Sequence, residues 1–172
     1  MSRSAQIAAL AVLLGVATLQ AAPTQTVVQW SARVEPATVV KAGADFEAVI
    51  DAKIDPGWHL YALTQEGGGP QALVITVPPG SPFKIAGSII APLPITAPDA
   101  NFNIDTQYHA EEATFYVPLT VPAGAAGRVT LDLDITFQTC TDRFCLPPAT
   151  ERVSLILMVP GTGADATAVE RP

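Results

Sequence analysis

Nearly every apolar stretch of this chain repeats with period two. Val28, Trp30, Ala32 and Val34 alternate with Gln29, Ser31 and Arg33, and Phe46, Ala48, Ile50, Ala52 and Ile54 alternate with mostly charged neighbours. The same rhythm returns at Trp58 to Leu63, Leu73-Ile75-Val77 and, more weakly, Phe83 to Ile90. It is cleanest at Ala113-Phe115-Val117-Leu119-Val121, Val129-Leu131-Leu133-Ile135-Phe137 and Val153-Leu155-Leu157-Val159. Successive strand residues point to opposite faces, so each run predicts a strand with one buried and one wet face. Turn formers separate the runs: Asp55-Pro56-Gly57, Gly67-Gly68-Gly69-Pro70, Pro78-Pro79-Gly80 and Ala123-Gly124-Ala125-Ala126-Gly127. About eight short strands punctuated this way predict an all-β fold, an immunoglobulin-like antiparallel β-sandwich. Two stretches break the rhythm. Ala91 to Glu111 shows no convincing strand, and connections of that length are usually functional or disordered. Gly161 to Pro172 reads as a flexible tail.

The first residues read as a secretory signal. Arg3 supplies the charged end, an uncharged apolar run covers Ile7 to Leu19, and small residues follow at Ala21 and Ala22. Thirteen residues rise only about 20 Å as a helix, short of the roughly 30 Å hydrocarbon layer. The expected organisation is a signal peptide at 1–22, one sandwich domain at 23–160 and a tail at 161–172. Without Arg3 the charged residues are dominated by sixteen Asp and Glu, giving a net charge of about −8. That balance, with no basic stripe, argues against nucleic acid as a partner. No later apolar run predicts a membrane span once the signal is removed.

Chemistry is concentrated in one place. The strand ending at Phe137 runs into Gln138-Thr139-Cys140-Thr141-Asp142-Arg143-Phe144-Cys145-Leu146-Pro147-Pro148, and a new strand begins near Thr150. The chain's two cysteines thus bracket a tight strand connection, and four intervening residues let the sulfurs meet. Such a pair in an exported chain is either a structural disulfide or an exchange-active one. A six-residue loop adds only about 2 kcal/mol of chain-entropy stabilisation, against about 4.7 for a hundred-residue loop. A domain of this size builds its core without a staple. A metal site combining both cysteines with His59 and His109 lacks the close ligand pairs that zinc sites show. No G-x-S-x-G, H-E-x-x-H or phosphate-binding glycine loop is present. Tyr61 and His59, two apart on one short strand, face the same way, and Trp58 opposite them is expected in the core.

These residues resemble the N-terminal periplasmic domain of the thiol:disulfide interchange protein DsbD. The resemblance rests on Cys140-Thr-Asp-Arg-Phe-Cys145-Leu-Pro147-Pro148, on Gly57-Trp58-His59-Leu60-Tyr61 and on Phe115-Tyr-Val-Pro118-Leu, and it covers roughly Ala44 to Val159. It implies a protein-disulfide reductase or exchange activity that needs no cofactor and no metal. Cys145 would form the mixed disulfide and Cys140 would resolve it. His59 and Tyr61 would line the pair, and Phe102, in Asp99-Ala-Asn-Phe-Asn-Ile-Asp105, is the candidate cap. Implied partners are thioredoxin-like redox proteins, disulfide isomerases and cytochrome c maturation thioredoxins, with a membrane electron donor supplied in trans. The expected location is periplasmic or otherwise secreted. Two other readings stay open: a non-catalytic binding module with a structural disulfide, and a metal chaperone.

Overall fold

The computed structural model describes residues 27–35 and 39–161. The expected signal peptide at 1–22 and the tail from 162 onward lie outside the described residues. Within them the chain is all-β, with eleven strands and no helix. One sheet has the order β1 (Val28–Glu35), β2 (Asp45–Ile54), β8 (Glu112–Thr120) and β5 (Lys84–Ile85). A second has β11 (Ala149–Val159), β9 (Gly127–Phe137) and β4 (Val74–Thr76). A third, smaller sheet has β10 (Thr139–Cys140), β3 (His59–Tyr61), β7 (Ile104–His109) and β6 (Ile95–Asp99). Every pairing between strands is antiparallel. This is the immunoglobulin-like sandwich that the alternation predicts.

The two larger sheets enclose the core. Ala48, Ile50, Ala52, Phe115, Val117 and Leu119 come from one side, and Leu131, Leu133, Ile135, Phe137 and Leu157 from the other; all are buried. Trp30 closes one end, 5.2 Å from the Phe137 ring and 6.4 Å from Phe115. Burial of side chains this size contributes about 1.5–3 kcal/mol each. On the wet face of the β9–β11 ladder Arg152 donates to both carboxylate oxygens of Asp134 at 2.6 and 2.9 Å, an exposed pair worth little to stability.

Two expectations change. Ala91 to Glu111 is not strand-free: it holds β6, β7 and the turn between them. The hairpin was hidden because β6 buries none of its side chains fully and β7 carries short polar residues such as Asp105, Thr106 and Gln107, so no apolar alternation forms. Trp58 is only partly buried, packing against the core and, edge-to-face, against Phe144. The weak Phe83 to Ile90 run condenses to the two residues of β5 and an isolated bridge from Ile90 to Tyr116.

Strand β3 is aimed by the Asp55-Pro56-Gly57 turn. The Trp58 amide donates to the Asp55 carbonyl at 3.1 Å. Gly57 sits at φ 80°, a value glycine adopts without a Cβ clash, behind a proline that suits the preceding position. The small sheet then has two distinct faces. Leu60 pairs with His109 and Thr139, and these three buried residues look toward the sandwich core. His59, Tyr61, Tyr108 and Cys140 occupy the alternate positions and look the other way.

His109 is buried edge-on against Phe115 at 5.6 Å, and its Nε2 has no hydrogen-bond partner among the described residues. Burial pushes its pKa down. A native state that refuses a proton the unfolded chain accepts loses stability as pH falls below the ordinary histidine value of about 6.5. Above that pH the residue contributes no slope. Denaturant titrations between pH 5 and 8 should therefore show an acid-side decline that His109→Phe flattens. An unchanged slope in the variant would assign the decline to other groups.

Candidate functional site

Strand β9 belongs to the sandwich, yet its continuation β10 pairs with β3 of the small sheet. The chain changes sheets at Gln138. That residue is pinned from both sides: its Oε1 accepts from the Gln71 amide at 2.8 Å, and its Nε2 donates to the Leu146 carbonyl at 3.2 Å. The backbone thus delivers Cys140 opposite His59, and the next residues turn back at once.

The turn is self-contained. The Thr141 amide donates to the Phe144 carbonyl at 2.9 Å, and the Thr141 hydroxyl accepts from the amides of Arg143 and Phe144, each at 3.2 Å. Threonine hydroxyls make such local backbone bonds readily, which is why a threonine starts the turn. Leu146 then donates to the Thr139 carbonyl at 3.0 Å. Cys140 and Cys145 become antiparallel bridge partners joined by a disulfide, with Cα atoms 4.0 Å apart. The two sulfurs' residues differ sharply in access. Cys140 is fully buried, while Cys145 is partly exposed beside the exposed Phe144.

Around the disulfide the surface is two-sided. On one side Phe144, 53% exposed, stands edge-on to Trp58 with ring centroids 5.4 Å apart, giving an aromatic ledge next to Cys145. On the other side His59 stacks on Tyr108 at 4.0 Å and places its Nε2 3.8 Å from the Asp142 carboxylate. Beyond it opens a cleft of about 300 Å³, bounded by Asp99, Thr106, Thr141 and Asp142.

The β6–β7 turn closes over this face, organised by one carboxylate. Asp99 Oδ2 accepts from the Tyr61 hydroxyl at 2.6 Å and from the Thr106 hydroxyl at 3.2 Å. Its Oδ1 accepts from the Asn101 amide at 2.8 Å and from Asn101 Nδ2 at 3.1 Å. The same Nδ2 donates to the Thr141 carbonyl at 3.0 Å, so the hairpin tip is bonded to the residue next to Cys140. Asn103 holds φ 57°, a left-handed value that asparagine tolerates better than most residues. Burial alone would raise the Asp99 pKa, but the bonds from Tyr61, Asn101 and Thr106 outweigh it and hold the carboxyl below its ordinary value. Tyr61 is pushed up, first by burial and then by its bond to Asp99.

Cys140, Cys145, His59 and Tyr61 lie at positions of one face of the small sheet. Phe102 stands over Tyr61, edge-on at 6.0 Å, and the contact with the cysteine turn is made by Asn101. The sequence reading passed over Asn101, Tyr108, Thr141 and Asp142. A usable signal did exist: Asp99-Ala-Asn101 is the pattern of a side chain that caps its own turn. The histidines lie on opposite faces of the small sheet and the cysteines are bonded to each other, so the four-ligand metal reading fails. Among the described residues no group of three or more His, Cys, Asp and Glu side chains is placed to hold a metal ion.

Asp99→Ala should lower stability by about 1–3 kcal/mol, because the buried Tyr61 hydroxyl loses its acceptor and the turn its cap. Chemical denaturation checks this, and a midpoint matching the wild type would show that the network carries no net stability.

Residues 24–157 match the family model described as the thiol:disulfide interchange protein DsbD, N-terminal. No curated protein sequence matches the chain. Among solved structures, the N-terminal periplasmic domain of ScsB from Proteus mirabilis superposes with a TM-score of 0.52 at 20% identity. It covers 80% of this chain, while this chain spans about half of that one (49%). The Neisseria meningitidis DsbD N-terminal domain in the reduced form gives a TM-score of 0.47 at 22% identity, covering 66% of this chain and 79% of that one. At 20% identity the ScsB domain speaks to the fold alone. With a family match over most of its length and a bonded cysteine pair on the predicted turn, this chain belongs to the DsbD N-terminal family of thiol:disulfide interchange domains.

Proposed function

We propose that the protein relays electrons by disulfide exchange between a thioredoxin-like donor and exported acceptor proteins. The observation that carries this reading is the unequal access of the two cysteines. In exchange, a partner thiolate attacks one sulfur of the disulfide, a mixed disulfide forms, and the other sulfur leaves as a thiolate. Cys145, partly exposed beside the Trp58–Phe144 ledge, supports attack from outside; buried Cys140 suits the resolving role. The partners are thioredoxin-like proteins or disulfide isomerases, and a membrane electron donor feeds the thioredoxin-like donor. The signal-like residues 1–22, with Arg3 before an uncharged apolar run, support export to the periplasm and cleavage before the domain at 23–160. Among the described residues no helix is long and apolar enough to cross a membrane.

The reading also gives Phe102 a role. A redox pair in an oxidising compartment must resist passing thiols, and the β6–β7 turn carries Phe102 over the same face as the disulfide. Removing the ring should alter access more than sulfur chemistry.

Two experiments test the proposal. Cys140→Ser, presented with a thioredoxin-like domain whose single cysteine is held as a mixed disulfide with thionitrobenzoate, should displace the thionitrobenzoate thiolate and accumulate a mixed disulfide through Cys145; Cys145→Ser should not. Failure of both variants to trap, with a wild-type disulfide inert to thioredoxin-type reductants, would leave a structural disulfide in a binding module. In a second measurement, Phe102→Ala should speed reduction by dithiothreitol severalfold with little change in melting temperature. Equal rates would remove Phe102 from the site.

A further inference from the structure

We infer that His59 is the charge partner of the Cys140 thiolate during exchange, an inference that rests on the exchange reading above. Cys140 and His59 are opposite each other in the β10–β3 ladder. Side chains directly opposite in an antiparallel pair share a face, with Cβ atoms about 4.5–5.5 Å apart. The imidazole is held in place from two directions. Tyr108 stacks against it at 4.0 Å from β7, and Asp142 of the cysteine turn approaches its Nε2 at 3.8 Å. The ring is thus wedged between the neighbouring strand and the turn that carries the disulfide.

The chemistry needs a positive charge here. When a thiolate attacks Cys145 Sγ, a new S–S bond forms there, the Cys140–Cys145 bond breaks, and its electron pair leaves on Cys140 Sγ. That thiolate appears in a fully buried residue, where an unpaired charge is costly. An imidazolium on the same face offsets the charge, and no proton has to move for the step to finish. In the reverse direction the same pair keeps Cys140 ionised for its attack on a mixed disulfide at Cys145. Histidine suits the task because it ordinarily changes charge between pH 5 and 8.

Other charged and titratable groups facing His59 are few. Asp142 comes from the turn, Tyr108 from β7, and Tyr61 from its own strand. Across the adjoining cleft lies Asp99, already saturated by four hydrogen bonds. His59 also borders a groove that contains Asp51, Lys53, Asp55, Glu111 and Glu112. Lys53 is the one cation among these groups.

The test titrates Cys140 in a Cys145→Ser background, following thiolate absorbance at 240 nm from pH 4 to 10. His59→Phe keeps a ring against Tyr108 and removes the charge; His59→Gln removes both. Each substitution should raise the Cys140 thiol pKa by about one unit, since an opposite charge within a few ångströms shifts a group by that much or more. In the intact disulfide each should slow reduction per dithiothreitol thiolate on the order of threefold at pH 6, with the difference vanishing by pH 8.5. Unchanged Cys140 titration in both variants would overturn the assignment. A shift with Gln alone would mark a packing effect and overturn it equally. Because the serine background contains no disulfide, this titration reports on His59 even if the wild-type protein proves inert to thioredoxin-type reductants, the outcome that defeats the exchange reading.

Discussion

The arrangement of this molecule depends on one short stretch of ladder, the pairing of Thr139 with Leu60 and of Cys140 with His59. Strand β9 is committed to the sandwich by Leu131, Leu133, Ile135 and Phe137, all fully buried. Only by leaving that sheet at Gln138 can the chain carry a cysteine pair to a second surface. The ladder to β3 fixes where the pair lands, and strand alternation then decides its company: His59, Tyr61 and Tyr108 on the cysteine face, Leu60 and His109 on the core face. A one-residue slip would exchange those two sets, burying His59 and exposing Leu60. The sandwich, stable by its own core, serves as the rigid support on which this register is held.

A second constraint is electrostatic. The Asp99 carboxylate gathers a buried hydroxyl, a threonine, a backbone amide and a side-chain amide. Bonds to an ionised group are stronger than neutral ones, and the three residues that donate here come from different pieces of the site. Tyr61 belongs to the strand beside the cysteines, Thr106 to β7, and Asn101 to the turn that reaches Thr141. The hairpin therefore has a preferred resting place without a large apolar contact beneath it. Phe102 and Tyr61 add one edge-on aromatic contact to what is otherwise a polar closure.

The core strands were legible because hydrophobic burial imposes period two on them, and Phe115, Ile135 or Leu157 cannot alternate without showing it. The cysteine turn was legible for a different reason: spacing and flanking prolines leave few ways to fold Cys140 to Pro148. His59 and Tyr61 could be paired on one face from strand geometry alone. The β6–β7 hairpin was not visible, since its side chains are polar or exposed and it is tied down by hydrogen bonds to residues 61 and 141, distant in sequence. For the same reason the aromatic Phe102 drew attention while its neighbour Asn101, which makes the bond to the cysteine turn, did not. Side-chain amides leave no periodic trace. Trp58 misled through its size: it packs against the core only in part and meets the exposed Phe144 edge-on.

The single bond from Asn101 to the Thr141 carbonyl has a consequence for how such a site can change over time. It joins the tip of one loop to the tip of another, across forty positions of sequence. Surface loops ordinarily tolerate insertions independently, because lengthening one costs little entropy. Here an added residue in either the Asp99–Asn103 turn or the Cys140–Cys145 turn would carry one tip past the other. The two loop lengths are thus a matched pair, and lengthening one alone would break the bond that joins them.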